Sequence, residues 1–177
     1  MKIKLYVVLF FLFTFAAQAQ TPFTASWNFE GNTGGSVNNP NVSISSANLS
    51  SSVREVGYPN GATGDAISIS LWPLTELDGN KYVEVSLTPQ NYRMSISSIS
   101  FECNHSPQGP AQIAVRSNQD NFGSTIGSGV VGNNFSNYNY SVAFNDLENT
   151  ATFRIYAYSS IDLFGTLRLD NLRINGI

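Results

Sequence analysis

The chain has 177 residues, 42% hydrophobic, 12% aromatic and only 12% charged, with a formal net charge of −3. That charged share is about half the usual globular value, and Ser, Asn, Thr and Gly fill the balance. The sign of the charge excludes a polybasic nucleic-acid footprint, and the length suits one domain able to bury a core without metal or disulfide staples.

The chain opens on a secretory signal. Lys2 and Lys4 form a charged start, Leu5 to Ala17 form an apolar run broken only by Thr14, and Ala17-Gln18-Ala19 supplies the small-x-small cleavage pattern. The expected boundaries are a signal peptide at 1–19 and a β-sandwich domain over 20–177, delivered by bacterial export to the periplasm or beyond. The apolar run is shorter than the roughly 20 residues of a spanning helix, so no membrane span is expected in the mature chain. Losing Lys2 and Lys4 leaves seven basic residues against twelve acidic ones, a mature net charge of −5, with Lys81 the sole remaining lysine. Such a surface suits neutral ligands such as sugars better than phosphates or acidic lipids. Cys103 is the only cysteine, which excludes an intrachain disulfide.

Beyond the signal no helical period persists for three turns, whereas period-two alternation recurs. In chain order the inward rows are Ala25/Trp27/Phe29, Ile67/Ile69/Leu71, Val83/Val85/Leu87, Met94/Ile96 then Ile99/Phe101, Ile113/Val115, Tyr138/Tyr140/Val142/Phe144, Phe153/Ile155/Ala157, and Leu167/Leu169 then Leu172/Ile174. Half-polar strands of this kind belong to antiparallel sheets with one wet face. Two rows change phase, at Ser97-Ser98 and at Asp170-Asn171, and an extra residue at each switch keeps every apolar side chain inward, so β-bulges are predicted there. Gly31 to Gly35, Pro59-Asn60-Gly61, Asp78-Gly79-Asn80 and Gly132-Asn133-Asn134 supply the turns. The fold class expected is all-β: a single antiparallel two-sheet sandwich of jelly-roll type.

Catalytic residue types are scarce. His105, the only histidine, lies two residues from Cys103, a spacing that either activates a thiolate or joins a buried structural cysteine to a loop histidine. Glu76 with Asp78, and Asp146 with Glu148, are the close acid pairs, in turn-like segments where acids either act as a catalytic pair or solvate the chain. Glu30 ends the first predicted strand and Asp170 lies in the last. Adjacent terminal strands would let them share a structural calcium ion; otherwise Asp170 caps a bulge and Glu30 is solvated. Arg154, Tyr156 and Tyr158 alternate on the face of their strand opposite the core, an arrangement that suits stacking on sugar rings and forked hydrogen bonds to hydroxyls, or cross-strand pairing under a loop. Trp72, opposite in parity to Ile69 and Leu71, is a second outward candidate.

Two stretches, SISSISFECNHSPQGPAQIAVRSNQDNF from Ser95 to Phe122 and TFRIYAYSSIDLFGTLRLDNLRING from Thr152 to Gly176, together with the opening ASWNFEG, carry a family likeness. The chain resembles an uncharacterised β-sandwich domain of secreted bacterial proteins, similar to galactose-binding-like and carbohydrate-binding-module jelly rolls. The matched positions are Gly109-Pro110, Arg116-Ser117, Asp120, Phe122, Arg154 and Asp170. The resemblance implies a sandwich in which Arg116 and Arg154 pair with Asp120 or Asp170 and Phe122 closes one end of the core.

The function expected is a non-catalytic glycan-binding module with Arg154, Tyr156, Tyr158 and Trp72 as ligand residues. An adhesive or matrix protein binding protein partners or itself is the alternative, and a small polysaccharide lyase or hydrolase on the same fold is a second one.

Overall fold

The computed structural model describes residues 20–177, and the signal-peptide expectation at 1–19 lies outside them. Thirteen strands follow in chain order: β1 (Phe23–Trp27), β2 (Ser36–Val37), β3 (Val42–Ile44), β4 (Asn48–Leu49), β5 (Arg54–Gly57), β6 (Ile67–Ser70), β7 (Val83–Pro89), β8 (Met94–His105), β9 (Pro110–Ser117), β10 (Gly127–Val130), β11 (Ser136–Leu147), β12 (Ala151–Ser160) and β13 (Leu167–Gly176). One 3-10 turn, Asn118–Asp120, follows β9. Among the described residues no helix is long and apolar enough to cross a membrane.

The strands make two antiparallel sheets, as the alternation predicts. The first runs β11-β8-β13-β1-β2, with β6 also on β13 and β5 on β6; the second runs β10-β9-β12-β7-β3, with β4 also on β7. Inward rows from both sheets, among them Ala25, Trp27, Ile99 and Leu172 from the first and Val85, Val115, Phe153 and Ile155 from the second, form one buried cluster. Burying such side chains stabilises the sandwich by about 1.5–3 kcal/mol each before conformational entropy is counted.

Both predicted bulges are present. Ser98 faces Asn175 while Ile96 faces Gly176, which makes Ser97 the extra residue; Glu102 faces Asp170 while Ser100 faces Arg173, which places the other at Asn171-Leu172. Asn171 takes φ 49° to make that turn. All of Met94, Ile96, Ile99, Phe101, Leu167, Leu169, Leu172 and Ile174 are buried in consequence. The strands the alternation misses, β2, β3, β4, β5 and β10, are two to four residues long, too short to show a period. Two further register shifts interrupt β11, between Ser141 and Phe144 and between Phe144 and Leu147, and the second keeps Leu147, of opposite parity to Phe144, packed against the core.

One side of the sandwich is closed by aromatic rings on glycine backbone. Tyr140 and Tyr138 of β11 lie against Gly127 and Gly129 of β10, where any side chain would collide with the rings, and the Tyr138 hydroxyl donates to the Val130 carbonyl at 2.7 Å.

Candidate functional site

The outer face of the second sheet holds the predicted stripe, in altered form. Parity puts Arg154, Tyr156 and Tyr158 on that face as expected, but Tyr156 is only 2% exposed. Tyr82 meets it edge-on at 5.9 Å between centroids, and the Arg116 guanidinium lies 5.7 Å from its ring centre. Tyr156 is therefore floor rather than platform, a correction to the expectation that it meets ligand. Tyr158 is half-buried beside Gln112 of β9.

Above that floor, Arg154 is clamped. Its guanidinium carbon sits 3.9 Å from the centre of the Tyr82 ring and 3.8 Å from that of Phe122, and its Nε donates to Glu84 Oε2 at 2.7 Å. Burial lowers the affinity of this guanidinium for its proton, but hydrogen bonds to Glu84 and Tyr156 outweigh that and leave its pKa raised. The partner is Glu84, not the expected Asp120 or Asp170, because β7 lies beside β12 and Arg154 stands opposite Glu84 in register. Phe122 belongs to this outer layer and does not close the core. Arg116 donates instead to the Phe122 carbonyl at 3.1 Å, and Asp120 accepts from the backbone of Gly123 and Ser124.

Tyr82 also borders a polar groove of about 550 Å³ lined by Asn48, Ser50, Ser51, Asp78 and Asn80. Asp78 Oδ1 accepts from Asn80 N at 2.9 Å, and Ser50 Oγ accepts from Tyr82 N at 3.3 Å, so the groove wall is held by its own short bonds. Sequence reasoning missed Tyr82, although the Val83/Val85/Leu87 row puts Tyr82 and Glu84 together on the wet face.

Trp72 is 0% exposed, a second correction. The strand ends at Ser70, and Leu71 takes φ 70°, which resets the phase and turns Trp72 into the core. Its indole N–H donates to the Ile69 carbonyl at 2.9 Å.

Glu30 and Asp170 do converge, both upon the loop from Pro59 to Ala66. Asp170, 0% exposed, accepts through Oδ2 from Ala62 N at 2.9 Å and Thr63 N at 3.1 Å, and through Oδ1 from Asn171 N at 2.6 Å. Glu30 Oε2 accepts from Asp65 N at 3.2 Å. Burial raises the Asp170 pKa, these amides pull it back in part, and Glu102 opposite adds to the rise. Calcium wants six to eight oxygens, whereas these carboxylates face amide hydrogens. Among the described residues no group of three or more His, Cys, Asp or Glu is placed to hold a metal. This arrangement does not fit a calcium cage; the two carboxylates clamp the loop.

The remaining chemistry is dispersed. Cys103 is fully buried, and that burial pushes its thiol well above the ordinary range, so it stays protonated and the thiolate reading with His105 is overturned. Glu148 is ion-paired with Arg93 at an exposed loop, and Asp146 is exposed beside it. A second cleft, of about 310 Å³, opens there between Asn39, Asn41, Tyr92, Arg93 and Asp146 over a floor of Phe23 and Met94, with Tyr92 57% exposed.

No protein-family model and no curated protein matches the chain. Among solved structures it is similar to "Carbohydrate-Binding Module CBM36 in complex with calcium and xylotriose", at 16% identity over 72% of this chain and 92% of that one, with a TM-score of 0.42. It is also similar to a carbohydrate-binding module of family 29 (14% identity, 88% and 90% covered, TM-score 0.45). A third likeness is to the K3 cleaved adhesin domain of Lys-gingipain from Porphyromonas gingivalis w83 (12% identity, 85% and 95% covered, TM-score 0.47).

Proposed function

We propose that this chain is an exported, non-catalytic binding domain for a neutral glycan, which it takes along the outer face of its second sheet. The observation that carries the reading is the Tyr82 ring, stiffened from one side by Arg154 and bordering a groove of Asn, Ser and Asp side chains. A pyranose presents C–H groups on its faces and hydroxyls around its rim; a fixed aromatic surface beside short hydrogen-bonding side chains matches both. Glu84 balances Arg154, and the groove beside Tyr82 is lined by Asp78 and by no Lys or Arg, which favours neutral polysaccharide. Export rests on the residue pattern of 1–19. The non-catalytic reading is supported by the protonated Cys103 and by the engagement of Glu84, which leaves Asp78 as the one acid lining the groove.

Affinity-gel retardation on a panel of neutral polysaccharides tests this. Tyr82→Ala and Asn80→Ala are each expected to weaken retention about tenfold, the loss of one good contact, whereas Tyr92→Ala in the second cleft leaves it unchanged. Loss with Tyr92→Ala and not with the groove variants would move the site and refute the assignment.

A further inference from the structure

The free edges of the two sheets are unequal. β2, β3, β4 and β10 run two to four residues. β5 runs four, carries Arg54 and Glu55, and is interrupted by a register shift before Gly57. Short, charged and bulged strands are how proteins stop their edges from pairing with other chains. β11 has none of these guards along its first half. It spans twelve residues and pairs with β8 alone, so its outer edge has no strand partner among the described residues.

From Ser136 to Ser141 the register of β11 against β8 is unbroken, and the shifts begin only after it. That stretch contains no Lys, Arg, Asp, Glu or Pro. Its exposed row is Asn137, Asn139 and Ser141, while Tyr138 and Tyr140 turn inward and rest on β10. The rings hold this half of the edge straight from beneath without covering it.

We propose that this edge pairs with the same edge of a second copy, antiparallel, about a two-fold axis at Asn139. In that register Asn137 of each copy faces Ser141 of the other, Tyr138 faces Tyr140, and Asn139 faces itself. No like charges meet. The only acid of the strand, Asp146, lies beyond the overlap, past the bulges that end it. Seven residues from Ser136 to Val142 give a seam of about 24 Å. The gain is mainly backbone hydrogen bonds and two tyrosine pairs rather than a large apolar area, so the contact is smaller than a standard interface and the dimer dissociates on dilution. The first sheet of each copy then continues into the other, and a surface that binds a glycan on one copy is presented twice.

Sedimentation velocity on the purified chain, from micromolar to near-millimolar concentration, tests the proposal independently of any sugar. The expected result is a reversible shift from monomer to dimer. Asn139→Lys sets two cations side by side on the axis and weakens the association at least tenfold. Asn137→Lys with Ser141→Glu places opposite charges across the axis and tightens it several-fold, an effect lost in high salt, while Asn137→Lys with Ser141→Lys loosens it. All of these side chains are exposed, so thermal melts confirm that each variant folds. A chain that stays monomeric throughout the range, or a dimer indifferent to these substitutions, overturns the proposal.

Discussion

Replacing Arg154 with alanine removes three interactions at once, and their sum can be worked from the geometry. The guanidinium lies 3.9 Å and 3.8 Å from the centres of two aromatic rings, and a half-buried cation stacked in this way gains about 1 kcal/mol per ring. The bond from Nε to Glu84 at 2.7 Å is about a quarter exposed on both sides, so solvent screening holds it to about 1 kcal/mol. The expected loss is about 3 kcal/mol, or about 9 °C in melting temperature for a domain of this size. Arg154→Lys keeps the charge but not the flat fork between two rings, and should lose about 2 kcal/mol. Urea denaturation reads these values from the midpoint at unchanged slope. A loss below about 0.5 kcal/mol, the ordinary range for a surface substitution, would refute the reasoning: the Phe122–Arg154–Tyr82 layer would then be a coincidence of position. The same variant frees the Tyr82 ring, so it should also weaken retention on a neutral polysaccharide.

The buried thiol predicts a pH dependence. Unfolded, Cys103 titrates near the usual thiol value of about 8.5; folded, burial holds its proton on well above that. The native state therefore binds more protons in this range, and stability falls as pH rises past the ordinary value, by up to about 1.4 kcal/mol per pH unit. Urea midpoints across mildly alkaline pH should show that slope, Cys103→Ala should flatten it, and Ellman's reagent should label the native thiol only at the rate of unfolding. The loop clamp predicts that Gly64→Ala costs about 2 kcal/mol: φ is +65°, and the added methyl meets the Glu30 carboxylate that binds Asp65 N. Because amides fill the clamp, calcium and a chelator should leave the wild-type melting temperature unchanged; a rise with calcium would mean that a cation displaces them.

The long strands were legible because each carries its own period. Alternation alone placed the eight inward rows, apart from Leu71, which is half-buried beyond the end of its strand. Two changes of phase were enough to locate the bulges at Ser97 and Asn171, since a register without them would expose two of the four apolar side chains in each strand. The errors arose where a single backbone angle or a distant residue decides. Nothing in the run ISISLW announces that Leu71 adopts a positive φ, yet that angle alone carries Trp72 from the expected surface into the core. Tyr156 has the parity expected of it and is buried all the same, because Tyr82, seventy-four positions away, closes over it. The partner of Arg154 depends on which strand lies beside β12, which is a property of topology. Glu30 and Asp170 meet because terminal strands adjoin, as anticipated; what they hold was not deducible, since amide hydrogens leave no trace in a sequence.

The burial of both indoles has a practical consequence for spectroscopy. Trp27 and Trp72 are each fully enclosed and donate to backbone carbonyls, of Ser45 and Ile69 respectively. Their emission should be blue-shifted in the folded protein and move to the red on denaturation, a built-in readout of interior integrity. A molecule settling on the exterior touches neither chromophore, so such an event should be silent in tryptophan fluorescence and has to be followed through tyrosine absorbance or by heat.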